Sequence, residues 1–136
     1  MLRLLDRLQP LALLVLRCAL GGIMVAHGFP KLFRGGMAAD VHLVQSIGLP
    51  GWMAYLSAGT EFFGGLLLIV GLLTRVASLA VCINMLVAIF KVHLKNGFTG
   101  QGNYQFPLAL AAMAFALICL GGGPISVDRL FGGRRR

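Results

Sequence analysis

The sequence predicts an all-α integral membrane protein: an antiparallel four-helix bundle with its N- and C-termini in the cytoplasm. Three observations predict it. The first is composition. The 136 residues are 58% hydrophobic and only 12% charged, with a mean hydropathy of +0.87. A soluble domain carries about twice that charged fraction, so the solvent of this chain is lipid. The second is segmentation. The apolar residues gather in four runs, about 11–29, 53–73, 76–94 and 104–120, near the length that crosses a bilayer as helix. The third is the placement of basic residues between or beyond those runs. Arg3, Arg7, Arg75, Arg129, Arg134, Arg135 and Arg136 fall on one side, while Lys31, Arg34 and Lys95 fall on the other with Lys91 close by. The richer side is cytoplasmic. Four spans also return both termini to one side. The length fits a single domain, 1–136.

The chain opens on Met1–Pro10, a short cytoplasmic lead or interfacial helix. The first span follows at 11–29. Its apolar run continues past Gly22 through Ile23 and Val25 without a small-residue cleavage site, and Arg17 lies inside it. Both features favour an uncleaved span over a signal peptide. Pro30 then ends the helix. The connection 30–51 is the longest. Met37, Val41, Val44 and Ile47 stand at helical spacing there, which suits an amphipathic helix in the interface, and Trp52 suits the headgroup level. The second span is 53–73. Thr74-Arg75 is a tight connection, so the third span, 76–94, runs antiparallel beside the second. The polar loop 95–103 leads to a short fourth span, 104–120, which Gly121–Pro124 terminates.

The net charge of +8 raises the question of nucleic acid. The basic residues form no stripe on a soluble fold, so they read as topology determinants and nucleic acid is excluded as a partner. Cys18, Cys82 and Cys119 lie within apolar runs and form no C-x-x-C. They read as small buried hydrophobes, all in the cytoplasmic half, and no metal site can be drawn from them.

Each span carries a stripe of polar and small residues at helical spacing. The first has Arg17, Gly21, Met24 and Gly28; the second Ser57, Glu61, Gly64, Gly65 and Gly71. The third has Ala77, Asn84, Ala88 and Lys91; the fourth Gln105, Ala109, Ala112 and Ala116. Small residues let backbones approach, and that contact drives helix association in lipid. The four stripes are therefore expected to face one another across a polar seam. Glu61 is its centre. It lies near the middle of its span, where a carboxylate is costly unless protonated, paired or hydrated, and so indicates a site. Two arrangements are open: Glu61 pairs with Arg17 as a structural lock, or it joins His27 and Gln105 in a pocket open to the outer side. Asn84 reads as an interhelical hydrogen-bonding residue, and Lys91 completes the seam.

These pieces, taken in order, resemble the DoxX family (DoxX/DoxD-like) of small bacterial four-span membrane proteins. The matching residues are Arg17 with Gly21, the run from His27 to Leu32, Gly48-Leu-Pro50, Glu61 with Gly64-Gly65, Gly71 to Arg75, and Gly121 to Asp128. They cover nearly the whole chain. The family often has a glutamate at the head of the fourth span, where this chain has Gln105. The resemblance implies a multi-pass protein of the bacterial inner membrane with links to redox chemistry, and a quinone as the candidate ligand. Three functions follow. The first is a redox-associated subunit, with or without catalysis of its own, that binds a quinone or small lipophile at Glu61, with electrons from partner proteins or from the bound molecule. The second is a non-catalytic scaffold whose Arg134–Arg136 tail recruits soluble redox enzymes. The third, ranked last, is a small-molecule permease, which would need to assemble as a homo-oligomer.

Overall fold

The computed structural model describes residues 1–132, and all of its regular structure is helical among those residues. In chain order the helices are α1 (Leu2–Asp6), α2 (Gln9–Phe33), α3 (Met37–Ser46), α4 (Trp52–Val70), α5 (Thr74–Asn96), α6 (Gln105–Leu120) and α7 (Asp128–Phe131). Helices α2, α4 and α5 are long and apolar enough to cross a membrane, at 25, 19 and 23 residues. The apolar α6 has 16, so it spans roughly 24 Å. Arg134–Arg136 lie outside the described residues.

Helix α2 is longer than its sequence suggests. Pro30 lies inside it, and the helix continues to Phe33 before Arg34 and Gly36 both donate to the Pro30 carbonyl. Proline lacks only its own N–H and disfavours helix at the residue before it. Here the preceding turns hold that residue in helix, and the consequence is one further helical turn carrying Lys31.

Helices α2 and α4 cross closely at Gly21 and Gly65. A Cβ on Gly21 would lie 2.6 Å from the Gly65 carbonyl oxygen, and one on Gly65 would lie 2.7 Å from that of Gly21. Only glycine permits that approach, and in lipid such backbone contact substitutes for the hydrophobic effect. Leu20, Met24, Leu68, Val81 and Leu117 form the core where α2, α4, α5 and α6 meet.

The expected stripes of α2 and α4 are the buried ones: Arg17, Gly21, Met24 and Gly28 on the first, Glu61, Gly64, Gly65 and Gly71 on the second. The fourth stripe is not. Gln105, Ala109 and Ala112 are exposed, and α6 buries Pro107, Leu110, Ala111, Ala114 and Leu117 instead. α6 packs chiefly along α5, and bulkier Leu side chains fill the space there. The cysteines also depart from expectation: Cys18 and Cys119 are exposed and Cys82 is half-buried.

The end of the bundle where α4 turns into α5 is clasped by polar groups. Gly71 ends α4 in the left-handed region, at φ 75°, and the chain turns through Leu73 into α5. Asp128 caps that start from a distance. Its Oδ1 accepts from the Leu73 N–H at 2.6 Å and its Oδ2 from the Thr74 N–H at 2.9 Å. Burial pushes the Asp128 carboxyl up. The Thr74 side chain nearby, these two backbone donors and the Arg17 guanidinium outweigh it and hold the group below its ordinary value. The Thr74 hydroxyl itself is buried without a well-formed hydrogen bond, so its effect is that of a dipole at close range.

Candidate functional site

Glu61 occupies a wide π-type turn, Thr60–Gly64, in the middle of α4. Such turns often accompany functional sites. A second one, Ile89–His93, interrupts α5, and both fall beside the same cavity. Glu61 is 6% exposed. Its partner is Lys31, whose Nζ donates to Oε1 at 3.1 Å and to Oε2 at 3.0 Å. The Lys31 ammonium also lies 3.6 Å from Asp40 Oδ1 on α3. One ammonium thus sits between two carboxylates, one from α4 and one from α3.

The geometry follows from the sequence of α2. Arg17, Gly21, Met24, Gly28 and Lys31 are spaced four, three, four and three apart, so they share one helix face. Gly28 brings the two backbones together at this level: a Cβ there would approach the Glu61 Cβ to 3.0 Å. Lys31, one turn further on, then reaches the carboxylate. Reading Pro30 as the end of the helix hides this partner, and counting the buried face one step further reveals it.

Arg17 does not meet Glu61. It lies 14 residues before Lys31 on α2, about 21 Å along the axis. Its Nη1 donates to the Leu68 carbonyl at 3.2 Å, and its Nη2 to the Ile125 carbonyl. Leu68 is in the last turn of α4, where carbonyls lack helical partners. A cation there also opposes the negative end of the helix dipole. Arg17 is 1% exposed, so it is a buried clamp joining α2, α4 and the C-terminal segment.

The cavity beside Lys31 and Glu61 has a volume of about 650 Å³. Its walls are mostly apolar, with Met24, Leu56 and Met85 on the long helices, Phe106 on α6, Val44 on α3 and Ile47 just after it. The short α3 therefore covers the site; of its expected apolar face Val44 and Ile47 line the cavity, together with Asp40 and Leu43. Polar groups enter at a few points. Asn84 Oδ1 accepts from the Ser57 hydroxyl at 2.8 Å, joining α5 to α4 as expected of an interhelical residue. His27 lines the cavity, with Nδ1 2.8 Å from the Ile23 carbonyl oxygen and its ring 5.7 Å from that of Phe106. His93 lines it as well, with Nδ1 2.9 Å from the Gly102 carbonyl oxygen.

Two expected members of the seam lie elsewhere. Lys91 is exposed and does not line the cavity. Gln105 is exposed at the start of α6, where its backbone N–H donates to Asn103 Oδ1 at 2.9 Å. Its side chain takes no part in the site. The second carboxylate comes from Asp40, through folding of the α2–α4 connection over the cavity.

The sequence model of one family, DoxX, matches residues 12–94, which include Lys31, Asp40, Glu61 and Asn84. The chain is 36% identical over 104 residues to a protein of Bacillus subtilis named "Putative oxidoreductase CatD", covering 76% of each chain. It is 29% identical over 126 residues to inner membrane protein YqjF of Escherichia coli, covering 91% of this chain and 95% of that one. A protein of Haemophilus influenzae is 30% identical over 141 aligned positions, 93% of this chain and 96% of its own. No solved structure matches.

Proposed function

The chain belongs to the DoxX family of membrane proteins, and from that premise we propose that it is a multi-pass protein of the bacterial inner membrane that binds a quinone or similar small lipophile beside Lys31 and Glu61, as a redox-associated subunit. The observation that carries this reading is the cavity of about 650 Å³, apolar except for a few polar groups that include the Lys31–Glu61 pair. That volume is typical of sites for small ligands, which are apolar with a few placed polar groups. Buried ionisable residues in spans are suited to handling protons.

In this reading α6 is the fourth span, its shortness met by local thinning of the bilayer, and the bundle is antiparallel. Both termini are cytoplasmic, in keeping with the excess of arginine at their end. The cavity then opens from the outer side, and α3 lies in the outer interface. The name of the Escherichia coli relative supports the inner membrane, and that of the Bacillus relative supports a redox association. Lys31 and Glu61 orient the polar head of the ligand and exchange a proton with it. Electrons come from a partner protein or from the bound molecule.

The test is calorimetric titration of decylubiquinone into the purified chain in nanodiscs, with empty nanodiscs subtracted for partitioning. Saturable binding is expected, strengthened severalfold in Glu61→Gln, where the Lys31 ammonium is released from its carboxylate and can donate to a quinone carbonyl. Absence of saturation would defeat the reading, and unchanged affinity in the variant would remove Glu61 from the site.

A further inference from the structure

The polar groups left over in the cavity wall are mostly hydrogen-bond acceptors. A backbone carbonyl can only accept, so the Nδ1 of His27 facing the Ile23 carbonyl carries its proton. In the neutral ring the other nitrogen, Nε2, is then an acceptor. The same holds for His93, whose Nδ1 faces the Gly102 carbonyl. Both rings line the cavity. A third acceptor is Asp40 Oδ2, which is buried without a hydrogen-bond partner while Oδ1 faces Lys31. A buried polar atom left unpaired is uncommon and costs free energy until a partner arrives.

Donors in the wall are mostly committed. Lys31 is shared between Glu61 and Asp40. The Ser57 hydroxyl is given to Asn84, which leaves the Asn84 amide –NH2 as the donor on that side. Three acceptors therefore await a ligand that brings hydrogens. A dicarbonyl head has none to give and sets its lone pairs against those of the wall. A dihydroxy head gives one from each hydroxyl and can still accept from Asn84.

Resting on the lipophile-binding reading above, we propose that the cavity selects the reduced, dihydroxy-aromatic form of its ligand over the oxidised, dicarbonyl form. His27, His93 and Asp40 are the specificity-determining acceptors, and Asn84 is the accompanying donor. Sites built to hydrogen-bond a hydroxyl reject analogues lacking it far more strongly than apolar pockets reject a change of size. The bound ligand keeps its oxidation state, and the preference is one of affinity.

The experiment titrates three probes into the full chain in nanodiscs under anaerobic conditions: decylubiquinol, decylubiquinone, and the quinol with both hydroxyls methylated. The quinol is expected to bind about tenfold or more tightly than either of the others, as loss of the hydrogen bond to the one buried acceptor, Asp40 Oδ2, implies. The midpoint potential of the bound couple should then lie about 30 mV above that of the free couple. His27→Phe and Asp40→Leu should each lower quinol affinity severalfold with little change for the quinone. Quinone binding that equals or exceeds quinol binding, or equal binding of the methylated quinol, overturns the proposal while leaving lipophile binding intact. Failure of all three probes to saturate overturns both readings. The wild-type comparison with the methylated probe does not depend on either variant folding.

Discussion

Replacing Lys31 by methionine is the most direct test of how the buried acid is held. The substitution keeps the apolar stem and removes the ammonium, leaving Glu61 at 6% exposure without its partner. Breaking a fully buried ion pair by removing one member costs about 3–5 kcal/mol. Lys31 is not fully buried: its side chain is 26% exposed, and water at that edge screens the carboxylate it leaves behind. The expected loss is therefore about 2–3 kcal/mol. Glu61→Met alone should cost less, because Lys31 keeps Asp40 at 3.6 Å and a path to water. The double variant Lys31→Met/Glu61→Met replaces the pair by apolar groups of similar size and should lie within about 1 kcal/mol of the parent. The resulting coupling is about 2 kcal/mol. Reversible unfolding by SDS in mixed micelles, followed by far-ultraviolet circular dichroism, measures each corner of the cycle. A loss below about 0.5 kcal/mol in Lys31→Met, or additive behaviour in the cycle, would refute the pairing. So would coupling of that size between Arg17→Met and Glu61→Met, since the two side chains have separate partners at different levels of the bundle.

Gly71→Ala should destabilise by about 2 kcal/mol or more, because φ is 75° and the new Cβ would collide with the Arg17 guanidinium and the Ser126 Cβ; the same SDS titration reads it. Asp128→Ala removes the cap on α5 and should cost about 1 kcal/mol at pH 7. The folded Asp128 carboxyl titrates below its ordinary value of 3.8, so its contribution is complete above that value and is lost as pH falls through the lower, folded one. Parent and variant should therefore converge in strong acid, and a stability gap that persists there would count against the cap. Ser57→Ala breaks the hydrogen bond to Asn84 and should cost only about 0.6 kcal/mol, as hydrogen bonds between helices in lipid do on average. A loss several times larger would mean that Ser57 does more than join α4 to α5.

Part of the candidate site is legible in the residues alone. A lone acid in an apolar run identifies Glu61, because its cost in lipid is the same whatever the neighbours. The stripe from Arg17 to Gly28 is equally plain, since helical periodicity is a local property. The partner was harder to read. Pro30 lies between Gly28 and Lys31 and resembles a helix stop, yet the helix continues and turns a nominal topology charge into the partner of Glu61. Asp40 was out of reach altogether. It belongs to a connection with few signals of its own, and only the docking of α3 brings its carboxylate to the site.

By itself, the sequence determined the solvent and the local order. Hydrophobic segmentation called for membrane helices, glycines allowed α2 and α4 to touch, and the buried carboxylate demanded a counter-charge. Which charge answers it was decided by tertiary structure, through the length and register of α2: Lys31 reaches Glu61, and Arg17 is left to clamp the carbonyls of Leu68 and Ile125. The buried face of α6 was decided the same way. Periodicity allows both the Gln105–Ala116 stripe and the Pro107–Leu117 stripe on that helix. Packing against α5 selected the second, whose larger side chains fill the contact, and turned Gln105 away from the site.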